Sequence, residues 1–294
     1  MQLVTWLRRS FCAQVLVLFL DALCRCCCRR QEPALPFMLL CAPRCGSTLL
    51  VEALEAHPEV SCRGEVLNPE YEVYGDVTLR GWWRVRAHWL AMFAGAEASA
   101  HSVGVKMFCS HTAELACGAT VAMLLDALPR RPVLLVLHRR CMLSSYLSLC
   151  RAFETDVWFE SSSDMPSTAQ SGGRGTACAA GLARYCADER ANWQDAIGSL
   201  ADAGWRAGEL TVLCYEDDID HPSAWRTTRE AIASRLGVSR DEQWLAREQT
   251  SSVQRRHAAA VAQRENLLEE LRGLPPSEYE LDLPAMINSA LRPD

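Results

Sequence analysis

The chain lacks several features that would assign its class at once. It has no GxxxxGK[ST] string, so the phosphate loop whose lysine reaches the terminal phosphates of a nucleotide is absent. Its 15 cysteines show no CxxC…CxxC spacing, which argues against a structural zinc site, and no metal is expected. It has no excess of positive charge. The 30 Lys and Arg against 36 Asp and Glu give a formal net charge of −6, which provides no basis for broad nucleic-acid binding. No internal repeat is visible, and no clear small-residue cleavage site follows the N-terminal apolar segment.

What is there is enough for a full core. With 294 residues, 49% of them hydrophobic, the chain can build one large domain with an appendage. The appendage is the N-terminal leader, residues 1–32. Arg8 and Arg9 precede a short apolar run, Ser10–Cys24, that Gln14 and Asp21 interrupt, and a cysteine cluster between arginines ends at Arg30. This pattern fits a signal anchor, an S-acylated segment on a membrane surface, or an amphipathic leader with no membrane role. The expected location is membrane-associated, in the Golgi if the segment is an anchor, and cytoplasmic otherwise. The odd cysteine total leaves at least one thiol free or bonded between chains, so the redox compartment stays open.

Beyond the leader, apolar runs alternate with helical periodicity. Strands are expected at Phe37–Cys41, Val60–Arg63, Val103–Phe108, Pro132–His138 and Glu209–Cys214. Helices are expected at Ser47–Ala56, Trp82–Ala98, Ala113–Leu128, Arg140–Ala152, Gly181–Ala203, Ala224–Leu236 and over 255–272. The continuous run Val133–Leu137 predicts a central strand of a parallel sheet, covered on both faces. Residues 161–176, rich in Ser and Gly, read as a flexible insertion. The expected fold is α/β, a P-loop-like three-layer domain over 33–294 with a central, mostly parallel sheet flanked by helices.

Two strand ends carry the candidate chemistry. After the first strand, Pro43-Arg-Cys-Gly-Ser-Thr-Leu-Leu50 brings together a helix N-terminus, a guanidinium on Arg44, a glycine at Gly46 and hydroxyls on Ser47 and Thr48, which suits an anion. After the strongest strand come Arg139 and Arg140, and the next helix carries Ser144, Ser145 and Ser148. In doubly wound sheets both places lie on the carboxyl rim where ligands bind, so Arg139 and Ser148 are candidates for a second phosphate.

Two phosphate sites on one rim fit a nucleotide phosphorylated at both ends of its ribose. The first string resembles the 5′-phosphosulfate loop of sulfotransferases that use 3′-phosphoadenosine-5′-phosphosulfate (PAPS), in the PRSGSTLL form of the Stf0/NodH-like carbohydrate branch. Leu137-His-Arg-Arg-Cys-Met-Leu-Ser-Ser-Tyr-Leu-Ser-Leu149 resembles that branch's 3′-phosphate motif, and Arg63-Gly-Glu65-Val-Leu-Asn68-Pro69 its carboxylate segment. Val103–Met107 and Cys214–Asp217 resemble two further strands, so the likeness spans about Phe37 to Val238. It implies PAPS as sulfuryl donor and a hydroxyl on a carbohydrate or glycolipid as acceptor. It assigns Arg44, Cys45, Gly46, Ser47, Thr48, Arg139 and Ser148 to the nucleotide, Glu65 as general base, and Arg44 to the charge on the departing phosphate. Lys106, at the end of its strand, is a candidate for contact with the substrate, with a solvated lysine as the alternative.

Cys45 departs from the branch's serine, and Met142 and Leu143 stand where charged residues are common. The 250–256 segment is a candidate closing loop through Arg255 or Arg256. Membrane association and a homodimer are the remaining partner expectations. The alternatives are a non-catalytic nucleotide-binding relative and a kinase-like phosphotransferase, which the missing loop lysine argues against.

Overall fold

The computed structural model describes residues 34–65, 82–94, 100–111, 119–155, 177–246, 269 and 275–292. The leader, the 161–176 insertion, the 250–256 segment, Asn68, Trp158 and all but Glu269 of the tail helix lie outside the described residues.

Five strands form one sheet in the order β2-β3-β1-β4-β5. They are β1 (Leu35–Cys41), β2 (Val60–Glu65), β3 (Ser102–Phe108), β4 (Val133–His138) and β5 (Leu210–Cys214). Every pairing is parallel. The expected mostly parallel sheet is therefore wholly parallel among the described strands. The Val133–Leu137 run is an interior strand of that sheet, between β1 and β5, as expected. A continuous apolar run requires only that both faces be covered, which holds for any interior strand.

Along β4, Leu134 and Val136 face one core, and Leu135 and Leu137 the other. On the first face they join Val85 and Trp89 of α2 (Trp82–Ala94), Leu124 of α3 (Val121–Asp126), Leu143 and Leu147 of α4 (Met142–Thr155) and Trp193 of α5 (Ala179–Asp202). On the second they meet Leu50 and Leu54 of α1 (Ser47–Glu55) and Trp225 and Ile232 of α6 (Pro222–Leu236). The result is three layers with helices on both sides of the sheet. Two shorter helices follow, α7 (Glu242–Ala246) and α8 (Leu283–Ala290). No helix among the described residues is long and apolar enough to cross a membrane.

Two helix starts differ from the sequence expectation. The helix expected from Ala113 begins, in its described part, at Val121, because Thr120 is extended and its hydroxyl accepts the Met123 N–H as an N-cap. The helix expected from Arg140 begins at Met142. The backbone N–H groups of Arg140 and Cys141 bond the Glu216 carboxylate, and that of Met142 bonds the Tyr279 carbonyl, so the chain is tied to its neighbours before it coils. Met142 and Leu143 are buried in the core, which accounts for their apolar character.

The connections fix where a ligand can sit. From β1 the chain passes through α1 on one face toward β2. From β4 it passes into α4 on the opposite face and on toward β5. The adjacent strands β1 and β4 thus send their connections to opposite sides, which opens a crevice at their carboxyl ends.

Candidate active site

The loop from Ala42 to Gly46 turns the chain off the end of β1. Arg44 has φ 61° and Gly46 φ 86°, both in the left-handed region. At Gly46 the conformation is joined by a close approach, since a Cβ there would stand 2.4 Å from a ring carbon of Tyr215. Only glycine meets both conditions. Helix α1 starts at Ser47 with no side-chain cap, and Ser47 is buried while Thr48 is half-buried. Cys45 is fully buried. Burial, the largest influence, pushes its thiol up, but hydrogen bonds with the Cys41 thiol and the backbone at Ala42 and Ser47 bring it below its ordinary pKa. The thiol therefore belongs to the inside of the loop, and what Cys45 can offer a ligand is its backbone.

The second motif meets the first directly. Arg44 Nε donates to Ser148 Oγ at 3.0 Å, and Arg139 donates to the Arg44 carbonyl at 3.4 Å. Ser148 is thus bonded to Arg44 rather than to Arg139, its expected companion. The Arg139 guanidinium lies 4.7 Å from the centre of the Tyr215 ring, and its Nε is 3.6 Å from Glu216 Oε1.

Glu216 also accepts the N–H of Arg140 at 3.0 Å and of Cys141 at 3.2 Å. Burial, again the largest influence, pushes this carboxyl up, but the backbone N–H groups outweigh it and hold its pKa below the ordinary value. The Tyr215–Ile219 segment is a single π-helical turn. The Tyr-Glu-Asp string thus backs both loops: Tyr215 under Gly46, Glu216 against Arg139, and Asp217 paired with Arg140.

Glu65 ends β2 on the other side of β1. The register between β2 and β3 shifts between Arg63 and Glu65, so that Glu65 pairs with Lys106. Regular pairing would have set Gly64 opposite Lys106 and turned Glu65 to the other face. The bulge instead brings Glu65 Oε1 to 2.6 Å from Lys106 Nζ, with both side chains 5% exposed. In the parallel pair β1–β3, Lys106 is level with Leu39 and Phe108 with Cys41, which places the pair on the same sheet face as helix α1.

His111, three residues past β3, is buried beside the pair, and its Nδ1 accepts the Phe108 N–H. Burial lowers its pKa to about 4, with Glu65 opposing and Lys106 adding to the effect. The imidazole is therefore neutral at physiological pH.

The structure brings Arg44, Gly46, Ser47, Thr48, Arg139 and Ser148 to one crevice, and sets Glu65 and Lys106 together one strand further along the rim. Three contributors were not anticipated from sequence. They are His111, the capping role of Glu216, and the pairing of Lys106 with Glu65. One compositional signal did point to the last: Lys106 is the single lysine among 30 basic residues. Of the tryptophans of α2, Trp89 is fully buried in the core and Trp82 is half-buried.

No protein-family model matches the chain, and no curated protein sequence matches it at a significant level.

Proposed function

We propose that the protein is a sulfotransferase that moves the sulfuryl group of PAPS to a hydroxyl, on a carbohydrate or glycolipid. The observation that carries this reading is the Arg44–Ser148 contact, which joins the two basic motifs across the crevice between β1 and β4. A nucleotide with phosphates at both ends of its ribose needs two anion sites in fixed relation, and these motifs supply them from adjacent strand ends.

In this reading the backbone of Cys45 and Gly46, the hydroxyls of Ser47 and Thr48, and Arg44 take the 5′-phosphosulfate. Arg139 and Ser148 take the 3′-phosphate. The acceptor hydroxyl gives its proton to Glu65 as its oxygen bonds to sulfur. The bond from sulfur to the bridging phosphate oxygen breaks, and its electron pair leaves with the 5′-phosphate, where Arg44 offsets the developing charge. The leader would hold this site at a membrane surface.

Three experiments test the reading. Stabilisation of the full chain by 3′,5′-ADP in the presence of EDTA supports it, and stabilisation by Mg-ATP alone sinks it in favour of a phosphotransferase. Transfer of labelled sulfate from PAPS to at least one member of a sugar and glycolipid panel separates an enzyme from a non-catalytic relative. Removal of residues 1–32 should move the protein from the membrane fraction to the soluble one.

A further inference from the structure

The chain carries one lysine, and that lysine is buried against the carboxylate proposed as the base. Every other basic position is arginine, including all those that face the surface. Burying an ammonium is expensive unless a partner of opposite charge is close, and burying a carboxylate alone drives it to take up a proton. Each group here removes the other's penalty. A carboxyl that is neutral cannot take a proton from a hydroxyl, so the cation beside Glu65 has a direct bearing on the chemistry.

We propose that Lys106 is a positioning residue for the transfer step. Its ion pair holds the Glu65 carboxylate in place inside the rim, and the β-bulge at Gly64 is the backbone device that brings the two together. This inference rests on the reading of Glu65 as the base. It goes beyond it by giving Lys106 a defined task, in place of a general contact with substrate.

Several described groups beside the pair do not supply that charge. His111 is neutral above about pH 4. Burial pushes the thiol of Cys62 on β2 up, and that of Cys41 at the end of β1 well up, so neither supplies charge near neutral pH. Glu55, whose field reaches Cys62, is an anion and would only raise the need for a cation.

The test uses the full chain and PAPS alone, with water as acceptor, so that no sugar need be known. Sulfate release is followed from pH 5 to pH 9, and 3′,5′-ADP affinity is measured in parallel. Lys106→Met is expected to shift the acidic fall-off of the rate by at least one pH unit to higher pH. It should also cut the rate at pH 7 at least tenfold, with 3′,5′-ADP affinity held within about threefold. Lys106→Arg restores the charge and should return the fall-off to its original place. Lys106→Gln keeps a hydrogen bond without the charge, serves if the Met variant does not fold, and should behave as Met does.

A purely structural role would lower stability in all three variants without moving the pH profile. A Met or Gln variant with the wild-type pH profile overturns the proposal. So does a wild type that binds 3′,5′-ADP but releases no sulfate at any pH. A wild type that fails to bind 3′,5′-ADP removes the sulfotransferase reading itself, which is a separate result.

Discussion

Arg44 Nε and Ser148 Oγ meet at 3.0 Å although 104 residues separate them in the chain. The contact ties the turn after β1 to the second turn of α4, and it makes each motif a support for the other. Ser148→Ala should therefore weaken 3′,5′-ADP binding by about tenfold, the equivalent of one hydrogen bond to a charged partner at about 1.4 kcal/mol. Global stability should change by less than about 1 kcal/mol, since Ser148 is only half-buried. Calorimetric titration alongside urea unfolding measures both. Unchanged nucleotide affinity would remove Ser148 from the ligand site.

At Gly46 a methyl group meets two obstacles, a φ of 86° and the Tyr215 ring 2.4 Å away. Gly46→Ala should cost roughly 1–3 kcal/mol of stability and abolish nucleotide binding, because the loop must rebuild to admit the side chain. Adding Tyr215→Ala relieves the clash but not the strained φ, and so should recover only part of the loss. Full recovery in the double variant would mean that backbone conformation contributes little here.

Glu216 is held ionised by the N–H groups of Arg140 and Cys141, and its depressed pKa sets the sign of its contribution. That contribution is present above the ordinary carboxyl range and disappears as pH falls through the depressed value. Glu216→Gln should lower stability by roughly 2 kcal/mol at pH 7 and by progressively less toward pH 3. Chemical denaturation at several pH values provides the check. The same variant should weaken 3′,5′-ADP binding, because Arg139 loses the carboxylate that orients it.

Two buried groups give opposite pH signatures. His138 is 2% exposed, its ring nitrogens have no hydrogen-bond partner among the described residues, and burial lowers its pKa to about 4. The unfolded chain binds a proton near pH 6.5 that the folded chain refuses, so stability falls as pH drops from about 6.5 toward 4. Glu189 is 6% exposed and its pKa is pushed up to about 7, by burial first and then by Asp188. Here the folded chain holds a proton that the unfolded chain releases, so stability falls as pH rises from about 4.5 to 7. His138→Phe should flatten the first slope. Glu189→Gln should flatten the second and raise stability at pH 7.5 by on the order of 2–3 kcal/mol. Thermal melts across pH 4–8 separate the two.

Much of the fold was legible because its signals are local. The Val133–Leu137 run could only be a strand covered on both faces, and Gly46 between an apolar strand and Ser47 could only be a tight turn into a helix. The two phosphate-type motifs could be placed on one rim because consecutive parallel strands bring their carboxyl ends together.

The Glu65–Lys106 pair escaped for a sharper reason. A regular ladder sends Glu65 to the opposite face, and nothing in Arg63-Gly-Glu65 announces a bulge except the glycine itself. The Glu216 cap was equally hidden, because its N–H partners at Arg140 and Cys141 lie on a different strand–helix junction.

The burial of Lys106 has a practical side as well. With one lysine in the chain, and that one 5% exposed, reagents that acylate ε-amines find none at the surface of the folded protein. The native chain should react at its α-amino group alone, and the lysine should become available only when the rim opens. Acylation of a single tryptic position would then record how often that end of the sheet unfolds in the intact protein.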